Sequence, residues 1–581
     1  MKKLIQPIVK VLLVTVGLFA CTSNFDDINK NEFVFDNTTA EYLFPGVVKH
    51  TLDLIGGDMN ANAFVNYAHY SGGMMGDFPT FFFVSTTTDN WWSRWYVNVL
   101  KNIDEIKKIH KDDPTHVNRV AIANVWEAYV YSIMVSTYGH LPYSDALNVP
   151  DDVKDGIYNT FDSEEKVYTN ILSSLDHNIR VMEENIGGDK LNNDPMYGGD
   201  NTKWIKFAQS LRLKIAMRIV EAFPELAREH IEASLMNEQL LIGDNSENAV
   251  LHFGVIEENW SPMYKKAVFE NNIFQQPRIN HHFMLFMKSY NDPRLQAFAK
   301  PAEVGFEFVD TLYSQALGED VPVKYTLDYV GEPLARQYVL PEWDLNPNLN
   351  PLQGMDRDNY AEFNDEFMKM DMAFPLVTAA QVAFLKAEAV VRGFNATLSA
   401  REYYTQGIEF SFSQHNVGGV EAYLLQDGIA WNTDGTGDHH FSGIVNSDIS
   451  KDPLEKIITQ RWIADFNQGH DAWCLQKRTR VMTLSPHLQP HKNLGVFHLD
   501  YPDRLVYGSS ERQLNGRAYQ EMIAAQGEDG MLTPLKINKS KENVPDWSAF
   551  PASWSWEFAH AFYGSDVEDL EAAGVEYEIL N

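Results

Sequence analysis

The feature that most constrains this chain is a succession of apolar stripes at helical spacing that runs from about Asp89 to Phe466. In Trp91 to Ile106, residues Trp92, Tyr96, Val99, Ile103 and Ile106 recur every three or four positions and fall on one face, with Trp91 and Trp95 on a neighbouring face. Ile122, Val125, Trp126, Tyr129 and Ile133 repeat the pattern, and Gly139 followed by Pro142 marks a stop. Next, Asp162 with Glu165 three residues on predicts an N-cap, ahead of the stripe Val167, Ile171, Leu175 and Ile179. Another stripe, Trp204, Phe207, Ala208, Leu211 and Ile215, ends near Phe223-Pro224. Later helices are predicted over Pro375 to Val391, from a Ser399/Glu402 capping box onward, and over Leu454 to Phe466. Such sequential stripes must bury against one another, so antiparallel helix pairs are expected.

Between these blocks the periodicity fades. From Asn245 to about Phe374, and again from Ser485, the chain is rich in Asn, Pro, Gly and scattered aromatics. A stretch this long inside a compact body predicts short helices and hairpins packed on the helical scaffold. The fold class expected is therefore mainly all-α, with tetratricopeptide-like hairpins and a large irregular portion. No clean 34-residue repeat is visible, so the expectation rests on pattern and not on register. The acidic stretch Asp566 to Asn581 is expected to be weakly ordered.

The first 31 residues bear on location. Lys2 and Lys3 precede an apolar run from Ile8 to Ala20, too short to span as a stable helix, and Leu18-Phe19-Ala20-Cys21 closes it. A small residue directly before a Cys is the pattern of a bacterial lipoprotein leader, and predicts that Cys21 is acylated and becomes the N-terminus. Residues 1–20 are then the leader, 21–40 the lipidated Cys and tether, and 41–581 one domain. Within that domain the helical body covers about 41–244 and 375–480, and the irregular, ligand-binding portion about 245–374 and 481–581. With Cys21 acylated, Cys474 is the one thiol left among two cysteines, and its apolar setting predicts a buried, inert group. The formal charge of −33 repels nucleic acid and anionic surfaces, so a nucleic-acid partner is excluded.

Catalytic signatures are missing: there is no His-Glu-x-x-His, Gly-x-Ser-x-Gly, Walker loop or Cys-x-x-Cys. No cofactor or metal set is expected. Asn432 to Asp438 spaces oxygen donors as a calcium loop does, but Gly443 stands where an EF-hand needs its closing Glu. His281-His282 reads as a helix-edge pair. What stands out is the mixture of aromatics and amides in the irregular stretches. Sugars bind by laying an apolar ring face on an aromatic side chain while amides bond the hydroxyls. On that reasoning the candidate ligand-binding residues are Tyr70, Phe82, Trp91, Trp260 and Trp343 as platform, with Asn62 and Asn272 as hydroxyl partners. The same mixture suits buried cores, whose Trp and Tyr need polar partners.

Several segments resemble, in order, the SusD/RagB family of outer-membrane lipoproteins from Bacteroidetes. They are Cys21 with Asn24-Phe25-Asp26-Asp27-Ile28-Asn29; the helix ending in Tyr138-Gly139-His140-Leu141-Pro142-Tyr143; Trp204 to Arg218; Asn291-Asp292-Pro293-Arg294-Leu295; Leu385-Lys386-Ala387-Glu388-Ala389; and Gly469-His470-Asp471-Ala472-Trp473. The resemblance implies a lipid-anchored, outward-facing outer-membrane protein that is not an enzyme. It would capture an oligosaccharide and deliver it to a SusC-like TonB-dependent transporter. Peptide capture for such a transporter is the variant reading, and a surface hydrolase with an unrecognised carboxylate site the other alternative.

Overall fold

The computed structural model describes residues 39–72, 85–111, 113–147, 159–270, 277–332, 357–432, 452–481, 502–540, 566–572 and 574–580. Its main helices are α1 (Ala40–Asp53), α2 (Ser85–Arg94), α3 (Lys101–His110), α4 (Val117–Tyr138), α5 (Glu164–Glu184), α6 (Asn201–Arg218), α7 (Pro224–Leu235), α8 (His281–Ser289), α9 (Ala379–Val391), α10 (Ala400–Gln414), α11 (Pro453–Ala464), α12 (Gly469–Thr479) and α13 (Gly516–Gln526). Consecutive helices pack on each other: α4 on α5, α5 on α6, α6 on α7 and α9 on α10. The fold is mainly α, as the stripes predict. No helix among the described residues is long and apolar enough to cross a membrane.

Local sequence explains most boundaries, and three differ from expectation. The α5 cap is Ser163, whose hydroxyl accepts from the Lys166 N–H, while Asp162 accepts from the Ser144 N–H and pairs with Lys166. Either residue has cap chemistry, and the neighbouring strand pairing of Leu141–Pro142 with Phe161–Asp162 claims the Asp. The helix expected from Pro375 begins at Ala379 behind the N-cap Thr378, because Ala373–Val377 is a strand. Trp91 to Ile106 is one helical run interrupted by a π-turn at Trp95–Leu100. Both its faces are covered, so Trp91 and Trp95 are as buried as Trp92. The predicted capping box is present, with Ser399 and Glu402 each accepting from the other's backbone N–H. Gly139 ends α4 at φ +91°, a conformation L-residues avoid.

Two large apolar cores meet along α9 and α12. The first holds α1 and α3–α7; the second holds α8, α10 and α11. Helix α9 gives Val382 and Leu385 to the first and Phe384 and Ala387 to the second, while α12 gives Trp473 to the first and Leu475 to the second. Helices α9 and α10 approach closely at Gly407, where a Cβ would stand 2.6 Å from the Phe384 ring. The seam between the cores is ionic. Glu388, fully buried, accepts a bidentate pair from Arg478 at 2.6 and 2.8 Å and a third bond from Arg392 at 2.8 Å. Across the seam, Asp471 bonds both Lys214 and Arg218.

The irregular portion is tied to this body by its own buried charge. Arg294, fully buried, bonds Asp292 with two nitrogens, then Ser411 on α10 and Gln460 on α11, and lies over the Phe412 ring. Among the described residues the longer strands here are β1 (Ala249–His252), β2 (Phe306–Ser314), β3 (Glu319–Leu327), β4 (Ala373–Val377) and β5 (Tyr577–Ile579), beside a two-residue pairing of Ala299–Lys300 with Glu362–Phe363. β1 pairs antiparallel with β4, and β2 with β3 in a hairpin. β5 adds to the open edge of β3, with Val323 opposite Ile579. The acidic end expected to be weakly ordered is thus partly built into a sheet. An unpaired strand edge offers backbone groups that a passing segment can satisfy, and Glu568 accepts from the Gln315 and Ala316 N–H groups beside it.

Removing Glu388 would strand the buried Arg478 in the seam, while Arg392 keeps Glu221, so Glu388→Ala is expected to cost about 3–5 kcal/mol in denaturant unfolding. Burial pushes the Glu388 carboxyl up, but Arg478 and Arg392 outweigh it and hold it at about 2, against 4.5 unpaired. A folded-state pKa below the unfolded one gives stability that is complete above about pH 4.5 and disappears as pH falls toward 2. Melting temperatures across that window should fall steeply for the native chain and less steeply for Glu388→Gln.

Candidate functional site

Buried ionisable side chains gather in the polar seam. Asp471 lies at the start of α12, and Lys214 and Arg218, one helical turn apart on α6, both reach it. Burial would raise the Asp471 carboxyl, yet the two cations hold it down at about 2. Arg218 continues to the Ser132 carbonyl and the Ser136 hydroxyl of α4, both at 3.1 Å. His470 stands 3.6 Å from the Cys474 sulfur. Burial works against the Cys474 thiolate, but His470, Arg218 and Lys477 together bring the thiol down to about 5.

Cys474 and His470 in contact, with Asp471 adjacent, have the ingredients of a nucleophilic site, but the crevice beside them is small. The crevice bordered by Ile55, Tyr129, Lys214, Arg218, His470 and Asp471 has a volume of about 20 Å³. That holds about one water and no substrate. Cys474 is 2% exposed, buried as expected. The arrangement neutralises charges where helices from both cores meet.

The predicted platform residues separate into three groups. Tyr70 and Trp91 are interior side chains. Tyr70 is fully buried, stacked 5.8 Å from Trp462 with its hydroxyl donating to the Trp462 carbonyl, and Trp91 is 2% exposed in the first core. Neither has a face to offer a ligand, because each stripe-bearing segment is covered on both sides. Cys21, Phe82, Asn272 and Trp343 lie outside the described residues, as does the proposed calcium loop beyond Asn432. Trp260 and Asn62 remain at or near the surface, and the structure brings their segments together.

Trp260 follows a short 3-10 turn, Glu257–Asn259, and precedes a π-turn, Tyr264–Phe269. Its indole N–H donates to the Val255 carbonyl at 3.0 Å, which fixes the ring on its own loop. Tyr264 and Phe269 meet it edge-on, with centroids 5.2 and 5.0 Å away. Phe269 is 54% exposed, and Val255, Ile256 and Val268 are also exposed, so the three rings belong to an apolar ledge at the surface. The ledge is seated on the π-turns that follow α1. Pro262 covers Gly57, where a Cβ would meet it at 2.5 Å, and Met263 packs on Ala61. Asn62 is the next residue, half-buried, with its amide donating to the Asp58 carbonyl at 2.8 Å. π-turns are rare in helices and recur at functional sites. Sequence reasoning named Trp260 but passed over Phe269, since one exposed Phe in a polar stretch has no periodic signal.

Comparison with known proteins agrees with this architecture. Residues 33–507 match a SusD-like family described as "Starch-binding associating with outer membrane". No curated protein matches the chain. Among solved structures, a SusD homolog from Bacteroides vulgatus superposes with a TM-score of 0.67 at 22% identity, over 87% of this chain and 98% of its own. A SusD homolog from Bacteroides uniformis gives 0.64 at 24%, over 87% and 100%. A chitin-binding SusD homolog from Flavobacterium johnsoniae gives 0.64 at 20%, over 86% and 99%. Identities this low speak for the fold, whereas the family match covers most of the sequence, and on that match the chain belongs to the SusD-like family.

Proposed function

We propose that this protein is a non-enzymatic glycan-capture lipoprotein of the outer membrane. It is anchored through an acylated Cys21, faces outward, and passes oligosaccharide to a SusC-like TonB-dependent transporter. The observation that carries the binding reading is the ledge at the surface of a body of this family, in which Phe269 is exposed and Trp260 and Tyr264 are half-buried. Rings held edge-on to one another on a loop fixed by its own hydrogen bonds lose little freedom when a sugar face settles on them. Asn62 beside the ledge supplies an amide of the kind that bonds hydroxyls. Phe82, Trp343 and Asn272 are proposed as further contacts. Support for the outer-membrane location comes from the family description and from the Ala20-Cys21 leader pattern.

Affinity electrophoresis and calorimetry against starch, chitin oligomers and other neutral glycans test the binding. Trp260→Ala should weaken the glycan that binds at least tenfold, about 1.4 kcal/mol, with no product released from it in either protein. Tyr70→Phe should lose about 1 kcal/mol of stability with its hydrogen bond and keep full affinity. Failure of every neutral glycan to bind would refute the reading. In cells, Cys21→Ala should move the protein out of the membrane fraction, and the purified variant should bind as the parent does; lost affinity would contradict that separation of roles.

A further inference from the structure

The corner between α3 and α4 carries a second feature that glycan capture does not use. His110 is the last residue of α3 and Val117 the first of α4, and buried His110 meets the partly exposed Asp113 and His116 at the corner between them. Each offers one ligand-type atom, and the three atoms lie within 4.8 Å of one another. The two imidazole rings stand 4.8 Å apart between centroids. His110 is 8% exposed, and its Nε2 is buried with no hydrogen-bond partner. Leaving such a nitrogen unpaired costs free energy, so its retention in a group of ligating side chains points to an occupant.

The surroundings hold the group in place. The Asp113 N–H bonds the His110 carbonyl at 3.1 Å, and the His116 N–H bonds the Asp113 carbonyl at 3.2 Å, which closes the corner into two successive turns. Thr115 donates its N–H and its hydroxyl to Asp113 Oδ1, while Asp113 Oδ2 bonds His116 Nδ1 directly, so the carboxylate and one imidazole are already paired. Fixing a carboxylate by hydrogen bonds to its far oxygen is how outer-shell groups orient a metal ligand. The C-terminal carbonyls of α3 favour a cation at this end of the helix. Arg119, the nearest fixed positive charge on α4, is paired with Glu41 at 2.6 Å and with Asp189 at 3.5 Å.

We infer that His110, Asp113 and His116 form a site for a divalent transition-metal ion, with zinc the best match. Two imidazole nitrogens and one carboxylate oxygen suit Zn²⁺ or Co²⁺ and not Ca²⁺ or Mg²⁺, which prefer all-oxygen shells. Donors around tetrahedral zinc stand about 3.4 Å apart, so the Asp113–His116 bond must part and the wider spacings in the group must close to admit the ion. A fourth position is left for water. Bound there, the ion pins the α3–α4 corner.

The full chain, freed of metal with a chelator, is titrated with Co²⁺ by visible absorption and with Zn²⁺ by calorimetry. The expected result is a visible Co²⁺ spectrum, displaced by Zn²⁺, and a melting temperature raised by Zn²⁺. His110→Gln and His116→Gln should each weaken the ion at least tenfold and abolish the shift in melting. His116 is partly exposed, so His116→Gln should melt with the parent in chelator, which separates lost binding from lost folding. An unaltered spectrum and affinity in both variants, as would follow if other histidines held the metal, overturns the site. So does the absence of any Co²⁺ or Zn²⁺ binding by the parent chain.

Discussion

The structure depends on how buried charge is compensated where its two cores meet. Asp471 draws Lys214 and Arg218 from α6, and through Arg218 it reaches the α4 backbone at Ser132. Glu388 does the same for Arg478 and Arg392 at the other end of α12. Arg294 repeats the device at the edge of the irregular portion. Pairs of this kind add little net stability compared with apolar packing, but none tolerates the loss of one partner. They fix how helices distant in sequence meet, since Lys214 and Asp471 find each other across 257 residues.

That commitment of the interior decides where function can lie. The polar seam contains the nucleophile, imidazole and carboxylate that a hydrolase would want, yet every one of them is spent on a neighbour around a crevice about the size of one water. On the function proposed above, recognition falls to surface segments carried by the scaffold, as is usual for loops on a rigid body. The ledge at Trp260 is such a segment. Its rings are oriented by their contacts with one another, and its base is locked by the fit of Pro262 over Gly57.

The helical body was legible because burial imposes a period: Trp126, Tyr129, Trp204 and Phe207 had to face a common core, and they do. Capping chemistry was legible at Ser399 and one residue out of place at Asp162, where a strand pair competed for the same carboxylate. The platform was only partly legible. Tyr70 and Trp91 have the composition of ligand contacts, but an aromatic residue near amides looks the same in sequence whether its hydroxyl faces a sugar or the Trp462 carbonyl. Neither the pairing of the C-terminal strand with β3 nor the convergence of His110, Asp113 and His116 has a periodic signature, since both arise from turns and long-range closure.

The central claim is that ligand is met at the aromatic ledge while the charged seam serves only the fold. Hydrogen exchange of backbone amides, recorded with and without saturating glycan, separates the two directly. The account predicts added protection in residues 255–270 and at the π-turns around Asn62, with the amides of α6 and α12 near Lys214 and Asp471 unchanged. Protection concentrated around Asp471, with the ledge exchanging as before, would contradict it.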